Sequence, residues 1–173
     1  MSVHTLSVLV ENRPGVLARV ANLFAARGFN IHSLAVGTTE VPEYSRMTIV
    51  VDLKETKPLE QVVKQLNKLI NVIKVVELDQ DAIERELALI KVRTKGDARA
   101  RVIEIADIFR ARISGVTRNT VTVEATGSAD KLTSLQDLLS EFGIVEMART
   151  GTVALSRDER GIRERVLRAA GDD

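Results

Sequence analysis

A predicted strand passes directly into a predicted helix at Glu11-Asn12-Arg13-Pro14-Gly15-Val16-Leu17. Residues 5–10, which come before it, are apolar and rich in strand formers, so they predict a β-strand. After it, side chains recur at the spacing of one helix face, at Val16, Leu17, Val20, Leu23, Phe24 and Arg27. Gly28 then suits the end of that helix. The pattern therefore changes from strand to helix periodicity within one short loop.

The same pattern analysis extends to residue 78. Strands are predicted at residues 30–36, 45–53 and 72–78, and Pro58 opens a second helix between the last two. The inward face of that helix is predicted to consist of Leu59, Val62, Val63, Leu66, Leu69 and Ile70. The resulting order, βαββαβ, is the ferredoxin-like arrangement.

The element order repeats after a polar run at residues 79–85, which is typical of a linker. Strands are predicted at residues 87–94, 113–117, 120–125 and 144–149, and helices at 98–112 and 129–142. The first of these helices is predicted to turn Val102, Ile105, Ala106 and Phe109 inward. A further strand at 153–155 and a charged surface helix at 157–170 complete the chain.

The predicted fold class is therefore α+β, with two tandem ferredoxin-like βαββαβ domains at residues 1–79 and 80–173. Each domain is expected to have an antiparallel sheet with both helices on one face. The other face must be covered or left polar.

The composition argues against several function classes. Charged residues make up 28% of the 173, and the formal net charge is +1, so the basic excess of a nucleic-acid binder is missing. Aromatic residues are only 3%, too few for the stacking platforms of single-strand binders. No cysteine is present, which excludes disulfides and thiolate metal sites and fits a reducing cytoplasm. Neither a signal peptide nor a membrane span is predicted, so we expect a cytoplasmic protein without a membrane partner.

Motifs for catalysis are missing as well. The glycines form no phosphate-binding loop, and no serine stands in a Gly-x-Ser-x-Gly turn. His4 and His32 are the only histidines, and neither has a partner at metal-ligand spacing. Both are predicted to be solvated or hydrogen-bonded surface residues. We therefore expect no catalytic residue, no metal site and no enzymatic activity of the chain by itself.

The loop between the first strand and helix has the features of an anion site. Pro14 suits the first turn of a helix, and Gly15 lets a ligand approach the backbone closely. The N–H groups of Gly15, Val16 and Leu17 would then point out of the helix start, where the helix dipole favours an anion. Asn12 can cap the helix or donate to the ligand. The same letters also suit a plain strand-to-helix turn.

Asn30 extends this hypothesis to a second chain. It begins the second predicted strand, which lies at a sheet edge in this topology. Two such edges pairing in a dimer would place Asn30 of one chain near the Gly15 loop of the other. A small amino acid could then bind between them, with an aliphatic side chain against Val16, Leu17, Ile31 and Val36. On spacing alone, Asn30 could equally be an ordinary strand-start residue.

Several segments resemble a known family. Residues 11–20 resemble the opening of an ACT domain, the amino-acid-binding module of many metabolic regulators. More specific segments are similar to the regulatory small subunit of acetohydroxyacid synthase (acetolactate synthase), at residues 27–34, 45–49, 60–69, 145–151 and 154–157. The resemblance covers nearly the whole chain, and the second half matches more loosely.

This resemblance implies a regulatory role. Such a subunit has no cofactor of its own and binds a large catalytic subunit, which carries thiamine diphosphate, magnesium and FAD. It raises the activity of that subunit and confers feedback inhibition, usually by valine, on the first common step of valine, leucine and isoleucine synthesis. The effector site of the family lies between two ACT domains of a homodimer. Its residues fall on Asn12, Gly15 and Asn30, whereas Pro14 receives no ligand role.

Three alternatives stay open at this point. A free-standing ACT sensor could regulate transcription or another enzyme, although the matches in the second half argue against it. An RNA-recognition domain shares the βαββαβ order but needs aromatic residues on its central strands, and residues 5–10 and 45–53 have none. An enzyme in its own right would need a nucleophile or cofactor loop.

Overall fold

The computed structural model describes residues 2–53 and 59–164. These residues group into two units. The first unit comprises the described parts of Met1–Ile83 and Thr152–Asp173, and the second comprises Glu84–Gly151. None of the helices in the described part of the chain has the length and apolarity that a membrane crossing requires.

The first unit has the predicted βαββαβ order. Its elements are β1 (Ser2–Glu11), α1 (Val16–Ala26), β2 (Asn30–Thr38), β3 (Tyr44–Leu53), α2 (Leu59–Leu66) and β4 (Val72–Glu77). The antiparallel sheet has the strand order β2-β3-β1-β4, which places β2 at an edge. This arrangement confirms the ferredoxin-like fold and the edge position of the second strand.

The core of the first unit lies between the helices and one face of this sheet. Alternate residues of β1, including Leu6 and Val8, face Ile49 and Met47 across the β1–β3 pairing, and all four are buried. Helix α1 adds a stripe at helical spacing, made of Val16, Val20, Leu23 and Phe24. Burial of these large apolar side chains is the main favourable contribution to folding of the unit.

The second unit repeats the order. Its elements are β5 (Ile83–Arg93), α3 (Ala98–Ile108), β6 (Arg112–Val116), β7 (Thr120–Gly127), α4 (Ala129–Ser140) and β8 (Ile144–Arg149). Its strands run in the order β6-β7-β5-β8, so β6 takes the place that β2 has in the first unit. A separate buried cluster includes Ile90, Val102, Val123 and Leu135. Ser128 caps α4, because its hydroxyl accepts from the backbone N–H of Lys131 at 3.4 Å.

The segment after β8 belongs to the first unit. Strand β9 (Val153–Leu155), which the sequence predicts, lies against β1. The helix-free face of the first sheet buries Leu9 and Val50, and the segment contributes buried Ala154 and Ile162. The sequence boundary assigns residues 152–173 to the second domain, but the described part of this segment groups with the first. The physical reason is that an apolar second face of the sheet needs a cover.

The tail differs from its prediction in another respect. The surface helix was predicted from residue 157, but residues 157–161 are not helical and helical geometry begins at Ile162. Ile162 is buried although it lies in a charged stretch. The remainder of the predicted helix, residues 165–170, lies outside the described residues.

The end of α2 also corrects a prediction. Ile70 was predicted on the buried face of that helix, but its side chain is 91% exposed. The helix ends at Leu66, and a turn follows in which the N–H of Leu69 donates to the carbonyl of Leu66 at 3.0 Å. The helical spacing therefore does not continue to Ile70. Pro58, the predicted first residue of this helix, lies outside the described residues.

Two boundaries in the second unit were wrong. The predicted linker at residues 79–85 already contains the start of β5 at Ile83. The predicted helix 98–112 ends at Ile108, and Arg112 begins β6. Arg110 reverses the chain with a left-handed φ of 53°, as Gly28 does after α1 with a φ of 62°. Because no glycine marks this second helix end, the sequence pattern misses it.

A partly buried ion pair links three elements of the second unit. Glu86 on β5 is 8% exposed at its side chain and contacts the guanidinium of Arg149 on β8, which is 25% exposed. Arg149 also donates to the carbonyl of Ala129 at the start of α4 at 3.2 Å. The pair therefore links two strands and a helix.

We predict that Arg149→Met destabilises the second unit by about 2–3 kcal/mol, because it removes the cation beside a buried carboxylate. Urea unfolding measures the change. The double variant Glu86→Gln/Arg149→Met is expected to recover part of the loss, because no buried charge remains.

The matched control is Lys91→Met, which removes an exposed cation. Pairing with Lys91 lowers the pKa of Glu146, but this carboxyl is exposed to solvent. The unfolding midpoint of Lys91→Met should therefore stay close to that of the wild type. Equal losses in Arg149→Met and Lys91→Met would contradict the role given to the buried pair.

Candidate functional site

The conformation of the loop from Asn12 to Gly15 depends on its one glycine. Gly15 immediately precedes α1 and has a left-handed φ of 82°, a backbone conformation that residues other than glycine rarely adopt. A Cβ on Gly15 would meet nothing within 4 Å, so the backbone is open on this side. Pro14 lies in the turn before the helix and not in its first turn, which corrects its predicted position.

Asn12 holds the loop against the β2–β3 connection. Its side-chain amide donates to the carbonyl of Pro42 at 3.0 Å, and its backbone N–H donates to the carbonyl of Glu43 at 2.7 Å. Helix α1 has no side-chain cap, so the capping role proposed for Asn12 was wrong. The amide shapes the loop and leaves its carbonyl oxygen available as an acceptor.

The helix start is suited to an anion. The first turn of α1 contains no acidic residue, and its backbone dipole leaves positive partial charge at this end. The N–H of Val16 makes one long hydrogen bond, 3.4 Å, to the carbonyl of Arg13. This donor was predicted to be free and is therefore partly used. A carboxylate could compete for it and for the neighbouring N–H of Leu17.

The predicted apolar lining divides into two groups. Val16 is buried and Ile31 half-buried in the core, so neither side chain is freely available to a ligand. Leu17 and Val36 are exposed at 44% and 45%, which is high for large aliphatic side chains. The sequence placed Leu17 at the spacing of one helix face, but it lies outside the buried stripe of α1.

Asn30 lies at the other end of the sheet from the Gly15 loop. It pairs with Asp52 on β3, which in turn pairs with Val3 near the start of β1. Glu11, the last residue of β1 before the loop, pairs with Tyr44 at the start of β3. About eight residue pairs at roughly 3.3 Å each, or about 25 Å, therefore separate the two places. One chain does not bring Asn12, Gly15 and Asn30 together.

Strand β2 carries a feature that the sequence did not indicate. The register with β3 shifts between Ile31 and Ser33, so His32 is an extra, exposed residue in a β-bulge.

The other histidine, His4, contacts Glu77, with 2.8 Å between its Nδ1 and the carboxylate. Among the described residues, no three acidic or histidine side chains gather as a metal site would require.

The second unit repeats the loop with different chemistry. The N–H of Thr94 donates to the carbonyl of Asn119 at 2.9 Å, as Asn12 does to Glu43. Where Asn12 uses a side-chain amide, Arg99 donates to two carbonyls of the β6–β7 connection at 2.7 and 2.8 Å. The start of β6 is Arg112, in the place of Asn30. The second unit therefore repeats the fold without repeating the candidate site residues.

Comparison with known proteins gives the family. The acetolactate synthase small subunit of Mycolicibacterium smegmatis is 56% identical over 160 residues, which are 92% of this chain and 94% of that protein. This chain belongs to the acetolactate synthase small-subunit family. Its residues 6–74 match the family model described as an AHAS small subunit-like ACT domain, and residues 85–158 match the model for the small subunit of acetolactate synthase.

Other small subunits of the family are also similar. The probable acetolactate synthase small subunit of Archaeoglobus fulgidus is 54% identical over 157 residues, 91% of this chain and 98% of that protein. The crystal structure of the acetolactate synthase small subunit from Thermotoga maritima has a TM-score of 0.85 and 41% identity. The match covers 92% of this chain and 100% of that one. The ACT domain and the ferredoxin-like fold are thereby established for this small subunit.

We predict that Gly15→Ala costs about 1–2 kcal/mol of stability, because the left-handed backbone is strained by any Cβ. Since the added methyl meets open space, the cost comes from the backbone alone. Gly161→Ala is the matched control, because its Cβ also meets nothing and its φ is not positive. Urea unfolding of both variants should separate them, and an equal effect would contradict the strain at Gly15.

Proposed function

We propose that this chain is the regulatory, non-catalytic subunit of an acetolactate synthase. In this proposal it binds the large catalytic subunit in the cytoplasm and raises its activity. It also makes that subunit sensitive to valine, which binds to a dimer of ACT domains. Thiamine diphosphate, magnesium and FAD belong to the catalytic subunit. The observation that carries the effector site is the separation of Asn30 from the Gly15 loop along an edge strand.

The register of β2 suggests how two chains could form the site. Among the described strands, none pairs with the outer side of β2, so its N–H and C=O groups can pair with another strand. If β2 pairs with its symmetric copy, the two strands run antiparallel about a twofold axis. With the twofold axis at Leu34, the middle of β2, Asn30 of one chain would lie beside Thr38 of the other. Thr38 pairs with Ser45, next to the β1–β3 end from which the Gly15 loop leaves.

The chemistry of the two ends suits an amino acid. The helix start beside Gly15 favours the carboxylate, through N–H groups and the helix dipole. Asn30 from the other chain offers an amide oxygen to the ammonium group and an amide N–H to the carboxylate. Exposed Leu17 and Val36 offer aliphatic surface for a small branched side chain. Valine carries all three groups on a few atoms.

Regulation then follows from unequal binding to two states. Valine would stabilise one arrangement of the ACT dimer, and that arrangement would favour a less active catalytic subunit. The free energy by which valine shifts the equilibrium between the two states equals the difference in its binding free energy to them. Tight binding that is equal in both states therefore changes nothing. A free-standing sensor is less favoured, because the family match extends across the second unit.

Reconstitution with the catalytic subunit tests this proposal. The chain alone should form no acetolactate, and adding it to the catalytic subunit should raise the rate several-fold. Saturating valine should then lower the rate toward that of the catalytic subunit alone. Gly15→Asp is expected to keep the activation but lose valine inhibition, because the new carboxylate repels the carboxylate of valine at the helix start.

Calorimetry gives the matching binding measurement. Valine affinity should fall at least about 100-fold in Gly15→Asp, because the new carboxylate places a like charge at the anion site. Unchanged affinity in this variant would sink the assignment of the loop. Acetolactate formation by the chain alone would overturn the non-catalytic role, and a failure to raise the rate would overturn the partnership.

A further inference from the structure

The segment after the second unit is anchored to the proposed effector strand. We call residues 152–164 the strap. The backbone N–H of Thr152 donates to the hydroxyl of Ser33 on β2 at 2.8 Å. Thr152 and Ala154 are buried, and β9 lies against β1, so the first residues of the strap are firmly held. In the chain, Thr152 directly follows Gly151, the last residue of the second unit.

The bulge at His32 makes this contact possible. Residues two apart on a regular strand face the same side of the sheet. Ile31 and Ser33 face opposite sides, because the extra residue between them shifts the register. Ile31 packs on the helix side with the core, whereas Ser33 pairs with Val50 and faces the strap. A rotation of the strand at the bulge would therefore move both residues together.

The rest of the strap is anchored at separate points and has open space beside it. Two cavities, of about 280 and 200 Å³, are lined by residues of the strap and by Arg46 of β3. Arg157 donates to the carbonyl of Asp81 at 2.5 Å, and Ile162 is buried. Space beside the strap allows it to shift without opening the helix-side core, since interiors without cavities resist such movement.

We propose that Ser33 couples valine binding at the β2 edge to the second unit through its hydrogen bond to Thr152. The inference rests on the proposed function, which places Asn30, the first residue of β2, at the effector. Valine would fix the β2 edge in one conformation, and the bulge would carry that change to Ser33 and the strap. Ser33 is thus a positioning residue that transmits the signal without contacting the ligand.

Ser33→Ala tests the coupling in the reconstituted synthase. The variant should bind valine within about threefold of the wild type by calorimetry and should activate the catalytic subunit normally. The ratio of rates without and with saturating valine should fall about fivefold, the factor that one lost hydrogen bond represents. Ser33→Thr keeps the hydroxyl and should keep the inhibition. Ser114→Ala, which removes a hydroxyl from edge strand β6, should behave as the wild type.

The outcomes separate the coupling from the site itself. A purely structural Ser33 would lower the melting temperature but leave the inhibition ratio unchanged, and that result would overturn the coupling. Loss of valine affinity in Ser33→Ala would also overturn it, because Ser33 would then belong to the site. If the wild-type chain fails to bind valine, the proposed function falls and this inference falls with it.

Discussion

The antiparallel pairing of β1, β2 and β3 constrains everything that the first unit can do. It places the Gly15 loop at one end of the sheet and Asn30 at the other, about 25 Å apart along the strands. No local rearrangement closes that distance, because the β1–β3 register passes through the buried core. A site that uses both groups therefore needs two chains. The edge position of β2 provides the route by which two chains can meet.

Both faces of this sheet are covered, and each cover has its own consequence. The helices bury Leu6, Val8 and their neighbours and fix the position of the Gly15 loop at the start of α1. The strap covers the other face and continues the chain from the second unit. Strand β2 contributes to both layers, because the bulge turns Ile31 toward the helices and Ser33 toward the strap. An event at the β2 edge is thus in contact with both layers at once.

Much of this architecture could be predicted from the sequence, because periodicity follows burial. The strand β8 at residues 144–149, the strand β9 at 153–155 and the glycine-marked end of α1 all have strong local signals. Ile70 and the end of α3 were wrong because tertiary turns override a continuing pattern. Arg110 adopts a left-handed backbone conformation that glycine normally occupies, so the sequence gives no sign of this helix end.

The candidate site was predictable only in part. Gly15 and Asn12 were identified, but the contact of Asn12 with Pro42 depends on a loop distant in sequence. The bulge at His32 and the contact between Ser33 and Thr152 have no local sequence signal, because they depend on the strand register and on the strap. Sequence resemblance supplied the candidate ligand, the partner and a site between two chains, and the strand register adds the distance that keeps the two parts of the site apart in one chain.

Mixed dimers test the shared site most directly. A heterodimer of one Gly15→Asp chain and one Asn30→Ala chain can be isolated with two affinity tags, and its valine stoichiometry measured by calorimetry. If the site joins the loop of one chain to Asn30 of the other, one site is doubly broken and one is intact. The account therefore predicts one valine per heterodimer and none for either variant homodimer. A heterodimer that binds no valine would contradict it, because a site within one chain would be broken in both subunits.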